Sequence, residues 1–80
     1  ALITGATSGI GEHLAYFLAK KGISLILSGR NQEKLQQMQK ELDAVIIQAD
    51  LSLHTDRDKV SSLIKEMSPD LIINNAGFAL

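Results

Sequence analysis

Residues 4–11 read Thr-Gly-Ala-Thr-Ser-Gly-Ile-Gly, which places glycines at positions 5, 9 and 11. An apolar run, residues 1–3, precedes this stretch, and a helical pattern follows it directly. Glycine lacks a Cβ, so the chain can turn sharply here and its backbone can approach a bound anion closely. A diphosphate at such a turn would meet free N–H groups and the positive end of the helix dipole. The stretch therefore predicts an anion-binding turn between a strand and a helix, with a purely structural tight turn as the alternative.

Apolar segments and helical patterns alternate along the rest of the chain. Strands are predicted over residues 1–4, 24–28, 44–49 and 70–74, with one helix in each of the three intervals. This alternation is typical of right-handed βαβ units, which build a parallel sheet with helices on both faces. We therefore predict a doubly wound α/β fold in the strand order 3-2-1-4, with the first two helices on one face and the third on the other.

The three helical patterns carry recognisable ends. Gly22 is expected to end the first helix, and Asn31 to cap the second. A capping box that starts at Thr55 is expected to open the third helix, which Pro69 stops. The residues expected to form the apolar faces are Ile10, Leu14, Phe17 and Leu18 in the first helix, Leu35, Met38 and Leu42 in the second, and Val60, Leu63, Ile64 and Met67 in the third.

The composition excludes several classes of protein. Eight Lys and Arg against nine Asp and Glu give a net charge of −1 in 80 residues, so we expect no surface for nucleic acid. The absence of cysteine excludes disulfides and thiolate metal sites, and His13 and His54 stand too far apart in sequence to suggest a shared metal site. Apolar runs are far shorter than the ~18 residues that a membrane span requires. We expect a cytoplasmic protein without a metal or a membrane segment, and leave open a targeting segment before Ala1.

Two further motifs stand where the third and fourth strands end. Asp50-Leu51 follows the third strand, and residues 74–77, Asn-Asn-Ala-Gly, close the fourth. Together with the spacing Gly-x-x-x-Gly-x-Gly after the first strand, these motifs closely resemble the short-chain dehydrogenase/reductase family. A Walker loop is excluded, because no Gly-Lys-Ser/Thr follows the glycines. The resemblance covers all 80 residues and implies a Rossmann-type sheet that binds a nicotinamide dinucleotide.

The resemblance also implies where the dinucleotide lies. The residues placed around the ribose and diphosphate are Gly5, Thr7, Ser8, Gly9, Ile10 and Gly11. Asp50 is placed against the adenine amino group and Leu51 near the ring, while Asn75, Ala76 and Gly77 pass beside the ribose toward the nicotinamide. Thr4 and Asn74 are expected to bridge the first and fourth strands. The plainer alternatives are a capping role for Asp50 and turn formation for the asparagines.

The residues that follow the second strand favour one dinucleotide over the other. Residues 28–31 read Ser-Gly-Arg-Asn, so no carboxylate is available there for the ribose 2′-hydroxyl of NAD(H). The permanently charged Arg30 suits a 2′-phosphate, and Ser28 or Asn31 could add a hydrogen bond. We therefore expect NADP(H) in preference to NAD(H), against the alternative that Arg30 is only an exposed loop cation.

Members of the family use a Ser and a Tyr-x-x-x-Lys pair for catalysis, and these elements would lie beyond Leu80. Tyr16 and Lys20 have that spacing, but they belong to the first helix and point away from the nicotinamide end of the strands. We assign no catalytic role to them and expect Glu12, Tyr16 and Lys20 to form a solvated helix face.

The resemblance therefore implies that residues 1–80 are the amino-terminal, cofactor-binding part of a longer NADP(H)-dependent oxidoreductase. The intact protein would interconvert a small carbonyl substrate and its alcohol by hydride transfer and would be a homo-oligomer, while this part alone would not catalyse. One alternative is a non-catalytic dinucleotide sensor or scaffold. Another is an epimerase or dehydratase of the extended branch, which usually carries Gly-x-x-Gly-x-x-Gly instead.

Overall fold

The computed structural model describes residues 1–77, which form four strands and three helices. In chain order these are β1 (Leu2–Thr4), α1 (Gly9–Lys20), β2 (Ile26–Gly29), α2 (Gln32–Leu42), β3 (Val45–Gln48), α3 (His54–Met67) and β4 (Ile72–Asn74). All the strand pairs are parallel, and the order across the sheet is β3-β2-β1-β4. The predicted α/β fold and its strand order 3-2-1-4 are confirmed.

Each face of the sheet buries its own apolar cluster. Ile3 and Leu27 point to one face, where they pack with residues of α1 and α2 such as Ala15 and Leu35. Their strand neighbours point to the other face, where Leu2 and Ile26 pack with Ala49, Leu51 and Val60 of the β3–α3 region. Side chains alternate along a strand, so these short strands supply both clusters. The expected division, α1 and α2 on one face and α3 on the other, is confirmed.

The ends of α1 and α2 are as predicted, but the start of α3 is not. The Asn31 side chain accepts a hydrogen bond from the Lys34 backbone N–H at 3.1 Å, and Gly22 follows α1 with a φ of +79°. The expected capping box at Thr55 is wrong, since α3 begins at His54 and its cap residue, Leu53, makes no side-chain hydrogen bond. The Leu53 N–H instead donates to the Asp50 carbonyl at 2.9 Å, so the turn after β3 closes before Thr55 is reached.

The apolar face of α1 differs from the prediction. Its fully buried positions are the small residues Gly11 and Ala15, whereas Phe17 is 57% exposed and Ile10 is 71% exposed. At about 100° per residue, Phe17 lies about 200° around the helix from Ala15 and therefore faces away from the sheet. Leu14 and Leu18, as expected, pack against the core. Small residues thus set the contact of α1 with the sheet.

The predicted faces of α2 and α3 are confirmed except at one position. Leu35, Met38 and Val60 are fully buried. The partly buried residues that pack against them are Leu42 on α2 and Leu63 and Ile64 on α3. Met67, expected in the core, is exposed because it is the last residue of α3.

Two contacts join α1 to α2 on the outside of the sheet. Lys34 Nζ lies 3.0 Å from Glu12 Oε1, and the Tyr16 hydroxyl donates a hydrogen bond to the Glu41 carboxylate. The expectation of a solvated face is therefore wrong for Glu12 and Tyr16, whereas Lys20 is exposed as expected. The sequence spacing placed them on one side of α1, and that side is turned toward the neighbouring helix.

Candidate functional site

A cavity of about 460 Å³ lies at the carboxyl ends of the strands. The residues that line it are Gly5, Thr7 and Ser8 after β1, Ser28, Gly29 and Arg30 at the end of β2, Ala49, Asp50, Leu51 and Ser52 after β3, and Asn75 and Ala76 after β4. In open α/β sheets, ligands bind outside the carboxyl ends of the strands, near the point where the strand order reverses. Here β1 lies between β2 and β4, so the cavity occupies that position.

The glycine turn has one wall that is closed and one that is open. A Cβ on Gly11 would lie 2.2 Å from the Gly5 carbonyl oxygen, and Gly5 itself has a φ of +63°. Both residues must therefore be glycine for α1 to pack against the turn. A Cβ on Gly9 would meet no atom of residues 1–77 within 4 Å, apart from those of its own helix and its chain neighbours. The fold does not require glycine at position 9, and the space beside it is available to a ligand.

The first turn of α1 presents backbone donors on this open side. Ser8 is the cap residue, and its hydroxyl accepts from the Gly11 N–H at 3.4 Å and donates to the Gly5 carbonyl at 2.8 Å. Gly9 and Ile10 follow the cap, and N–H groups in the first turn of an α-helix have no partner within the helix. These donors and the positive end of the helix dipole form a site suited to an anion.

Asparagines at the end of β4 hold the glycine turn in place. The Asn75 side-chain amide donates to the Gly5 carbonyl at 3.1 Å and to the Ser8 hydroxyl at 2.8 Å. The buried Thr4 hydroxyl donates to Asn74 Oδ1 at 3.0 Å and accepts from the Ala76 N–H at 3.3 Å. Thr4 and Asn74 thus bridge β1 and β4 as predicted. Asn75 lines the cavity, but its amide donors point into the turn.

The end of β2 brings Arg30 to the cavity. Arg30 is exposed, and its carbonyl accepts a hydrogen bond from the Gln48 side chain at 3.1 Å, which ties it to β3. The Ser28 side chain is fully buried in the cavity wall, and its hydroxyl has no hydrogen-bond partner among the described residues. The oxygen of the Asn31 side chain caps α2, and Asn31 does not line the cavity. Of the two polar candidates beside Arg30, Ser28 is the one in the wall.

The turn after β3 supplies an ionised carboxylate. Asp50 Oδ1 accepts from the Ser52 hydroxyl at 2.6 Å and from the Ser52 N–H at 3.0 Å. These two bonds, the hydroxyl one first, lower the pKa of Asp50, and the positive charge of Arg30 adds to the effect. Asp50 is therefore an acceptor at neutral pH. Leu51, only 5% exposed, adds an apolar surface beside it.

Comparison with known proteins supports a ligand site at the carboxyl ends of the strands. A family model described as short chain dehydrogenase matches residues 1–80. The chain belongs to the short-chain dehydrogenase family. The match includes the three strand ends that form the cavity, at the glycine turn, Asp50 and residues 74–77.

Individual relatives agree with this member of the short-chain dehydrogenase family in sequence and in fold. An NADPH-dependent pterin aldehyde reductase of Arabidopsis thaliana is 39% identical in an alignment of 82 positions, which covers 95% of this chain and 34% of that protein. An uncharacterised oxidoreductase of Staphylococcus aureus is 38% identical, with 96% of this chain and 36% of that protein covered. The crystal structure of serine dehydrogenase from Escherichia coli superposes with a TM-score of 0.80 at 37% identity, covering 99% of this chain and 38% of that one. The chain thus spans about a third of the length of the relatives it matches.

Several residues predicted for the dehydrogenase site stand outside the cavity wall. They are Gly9, Ile10, Gly11, Asn31 and Gly77. Gly9 and Ile10 lie on the open side of the glycine turn, whereas Gly11 is buried against Gly5. Sequence reasoning missed four residues of the wall or its support: Gly29, Ala49, Ser52 and Asp56. Only Ser52 had a sequence signal, because Asp-x-Ser favours a turn in which the Asp side chain accepts from the backbone two residues on.

The Tyr16-x-x-x-Lys20 sequence lies outside this site. Tyr16 contacts Glu41 at the junction of α1 and α2, and hydrogen bonding to that carboxylate raises the pKa of Tyr16 to about 12.

Within residues 1–77 no helix is long and apolar enough to cross a membrane. The same part of the chain holds no group of three or more residues able to bind a metal ion.

Proposed function

We propose that this chain is the NADP(H)-binding part of a longer oxidoreductase that interconverts a carbonyl group and an alcohol by hydride transfer. Family membership supports dinucleotide-dependent oxidoreduction, and one relative is named as an NADPH-dependent aldehyde reductase. We also propose that the intact protein is cytoplasmic and homo-oligomeric, and that residues 1–80 are the amino-terminal part of its Rossmann domain.

The open turn at Gly9 is the observation that carries the proposal. Glycine at this position is not required by packing among the described residues, because a Cβ there meets none of their atoms within 4 Å apart from those of its own helix and chain neighbours. The adjacent N–H groups of the first turn of α1 and the helix dipole suit the charge of a diphosphate. The cavity is lined by the rest of this turn, at Gly5, Thr7 and Ser8, and also by Asp50 and Leu51, which suits a ligand that carries both an anionic group and an aromatic ring.

The two ends of the adenosine would be recognised by different residues. The ionised Asp50 would accept a hydrogen bond from the adenine amino group, and Leu51 would contact the ring. Arg30 would pair with the 2′-phosphate, because its guanidinium offers several donors and a permanent charge. No described residue at the end of β2 supplies the carboxylate that a free 2′-hydroxyl would need, since residues 28–31 are Ser-Gly-Arg-Asn.

When bound, the nicotinamide would supply or accept the hydride, and the residues of this chain bind and orient the dinucleotide. The glycine turn and Asn75 would fix the diphosphate and the neighbouring ribose. No tyrosine or lysine lines the part of the cavity that residues 1–77 form, so the proton donor would come from elsewhere in the intact protein.

Dinucleotide preference tests the proposal. Losing a hydrogen bond to a charged group costs about 1.5 to 3 kcal/mol, so Arg30→Ala should weaken NADPH binding by roughly 10- to 150-fold. Binding of NADH should change little, because NADH has no 2′-phosphate. Calorimetric titration of the intact protein with each dinucleotide gives both values.

Lys40→Ala is the matched control, since it removes an exposed cation of α2 that does not line the cavity. It should leave both affinities unchanged. Equal losses of NADPH and NADH in Arg30→Ala would contradict the 2′-phosphate assignment, and a wild-type protein that binds neither dinucleotide would contradict the function itself.

A further inference from the structure

Asp56, in the first turn of α3, forms a hydrogen bond with the backbone of a residue that lines the cavity. Its Oδ2 atom accepts a hydrogen bond from the Asp50 N–H at 2.8 Å, in a partly buried position. Asp58, two residues further along the same helix, is exposed, and its Oδ2 atom lies 3.4 Å from Nε2 of the exposed His54. The two acids therefore differ in what they contact, although both lie near the start of α3.

The turn that carries Asp50 depends on contacts of this kind. Position 50 lies beyond the last β3 residue, Gln48, and α3 begins without a side-chain cap of its own. Lys59, one turn after Asp56, donates to the Gln48 carbonyl at 2.7 Å. Asp56 and Lys59 thus reach back from α3 and hold the segment 48–50 from one side.

Ser52 and Asp56 restrain different parts of Asp50, the side chain and the backbone. Ser52 holds the side chain, since both its donors bond to Asp50 Oδ1. Asp56 holds the peptide that sets the direction from which the side chain leaves the backbone. Bonds in which an ionised acceptor meets a backbone N–H are shorter and stronger than neutral ones, so this contact restrains the peptide effectively.

We propose that Asp56 is a positioning residue for adenine recognition, acting through the Asp50 peptide. This inference rests on the proposed function, because it assumes that the Asp50 carboxylate accepts a hydrogen bond from an adenine amino group. A recognition group must be held within about 0.5 Å of its productive position to be effective. Asp56 supplies that restraint without touching the ligand, and it lies outside the cavity wall.

The test uses adenosine 2′,5′-bisphosphate, which carries the adenine and the 2′-phosphate but no nicotinamide, titrated into the intact protein by calorimetry below the melting temperature. Asp56→Ala should weaken binding by about 5- to 10-fold, less than the roughly 10- to 150-fold expected for a lost charge-assisted contact, because the Asp50 carboxylate is displaced but not removed. Asp56→Asn should recover most of the affinity, because its amide oxygen still accepts from the Asp50 N–H. Asp58→Ala, the matched loss of an acid from α3, should bind as the wild type does.

A double-mutant cycle separates positioning from general stability. If Asp56 acts through Asp50, then Asp56→Ala should have no further effect on affinity in an Asp50→Ala background. Equal affinities for wild type and Asp56→Ala, or additive losses in the double variant, would overturn the proposal. Should Asp56→Ala fail to fold, Asp56→Ser carries the same expectation, because its shorter side chain does not span the contact. A wild-type protein that does not bind the probe would contradict the proposed function and not the role of Asp56 alone.

Discussion

The glycine turn after β1 and the acidic turn after β3 line the same cavity and are built in different ways. The glycine turn is shaped by atoms that are absent, since a Cβ on Gly11 would lie 2.2 Å from the Gly5 carbonyl oxygen. The acidic turn is shaped by atoms that are present, through the bonds of Ser52 and Asp56 to Asp50. A single added methyl group in the glycine turn should therefore cost much folding stability, whereas the loss of one bond in the acidic turn should mainly reduce ligand affinity.

The largest effect is expected within the glycine turn itself. Gly11→Ala should lower the free energy of unfolding by about 3 kcal/mol, the upper part of the range for an overpacked site, because the backbone oxygen of Gly5 cannot move away freely. Gly9→Ala should change it by less than about 0.5 kcal/mol, since its Cβ enters open space and its φ is not positive. Urea denaturation of the intact variants measures both values. Similar losses at the two glycines would show that the turn is not shaped by the Gly5–Gly11 contact.

The intermediate effects are those already given for ligand affinity, of Arg30→Ala at the end of β2 and of Asp56→Ala, which acts on the acidic turn. Both act on the adenosine end of the cavity and leave the glycine turn intact. If either variant lost folding stability as Gly11→Ala is expected to, the contrast between the two turns would fail.

Much of the fold could be predicted, because its signals are local in sequence. The alternation of apolar segments and helical patterns was enough to predict the sheet order. Local capping was predictable at Asn31, where the partner is three residues away. At Thr55 the same reasoning failed, because Asp50 and Leu53 close the turn first.

The contacts that escaped prediction join residues from different elements. Tyr16 and Glu41 lie 25 positions apart, and nothing in either helix pattern indicates that they meet. The core face of α1 was misjudged because large apolar residues such as Phe17 carried more weight in the pattern than Gly11 and Ala15. For the site, positions at strand ends were predictable from the motifs, whereas the support from Asp56 depends on how α3 folds back.

The smallest effect is expected away from both turns, at the junction of α1 and α2. The hydrogen bond to Glu41 raises the pKa of Tyr16 from 10.0 to about 12. A raised pKa means that the contribution to stability is complete below pH 10 and disappears as the pH approaches 12. Tyr16→Phe should therefore lower the free energy of unfolding by only about 0.5 kcal/mol at pH 8, given its contact with solvent.

Urea denaturation at pH 8 and near pH 11 checks this expectation. The difference between wild type and Tyr16→Phe should shrink at the higher pH, while dinucleotide affinity at pH 8 should be the same in both. A difference in stability that does not depend on pH would contradict the bond to Glu41. A loss of affinity would link Tyr16 to the cavity, against its position in the structure.

A crystal structure of the intact protein with bound NADPH tests the central claim most directly. We expect the diphosphate beside Gly9 at the first turn of α1, the 2′-phosphate at Arg30, and the adenine amino group within hydrogen-bond distance of the Asp50 carboxylate. A dinucleotide bound elsewhere, or one whose diphosphate does not contact the glycine turn, would contradict the account.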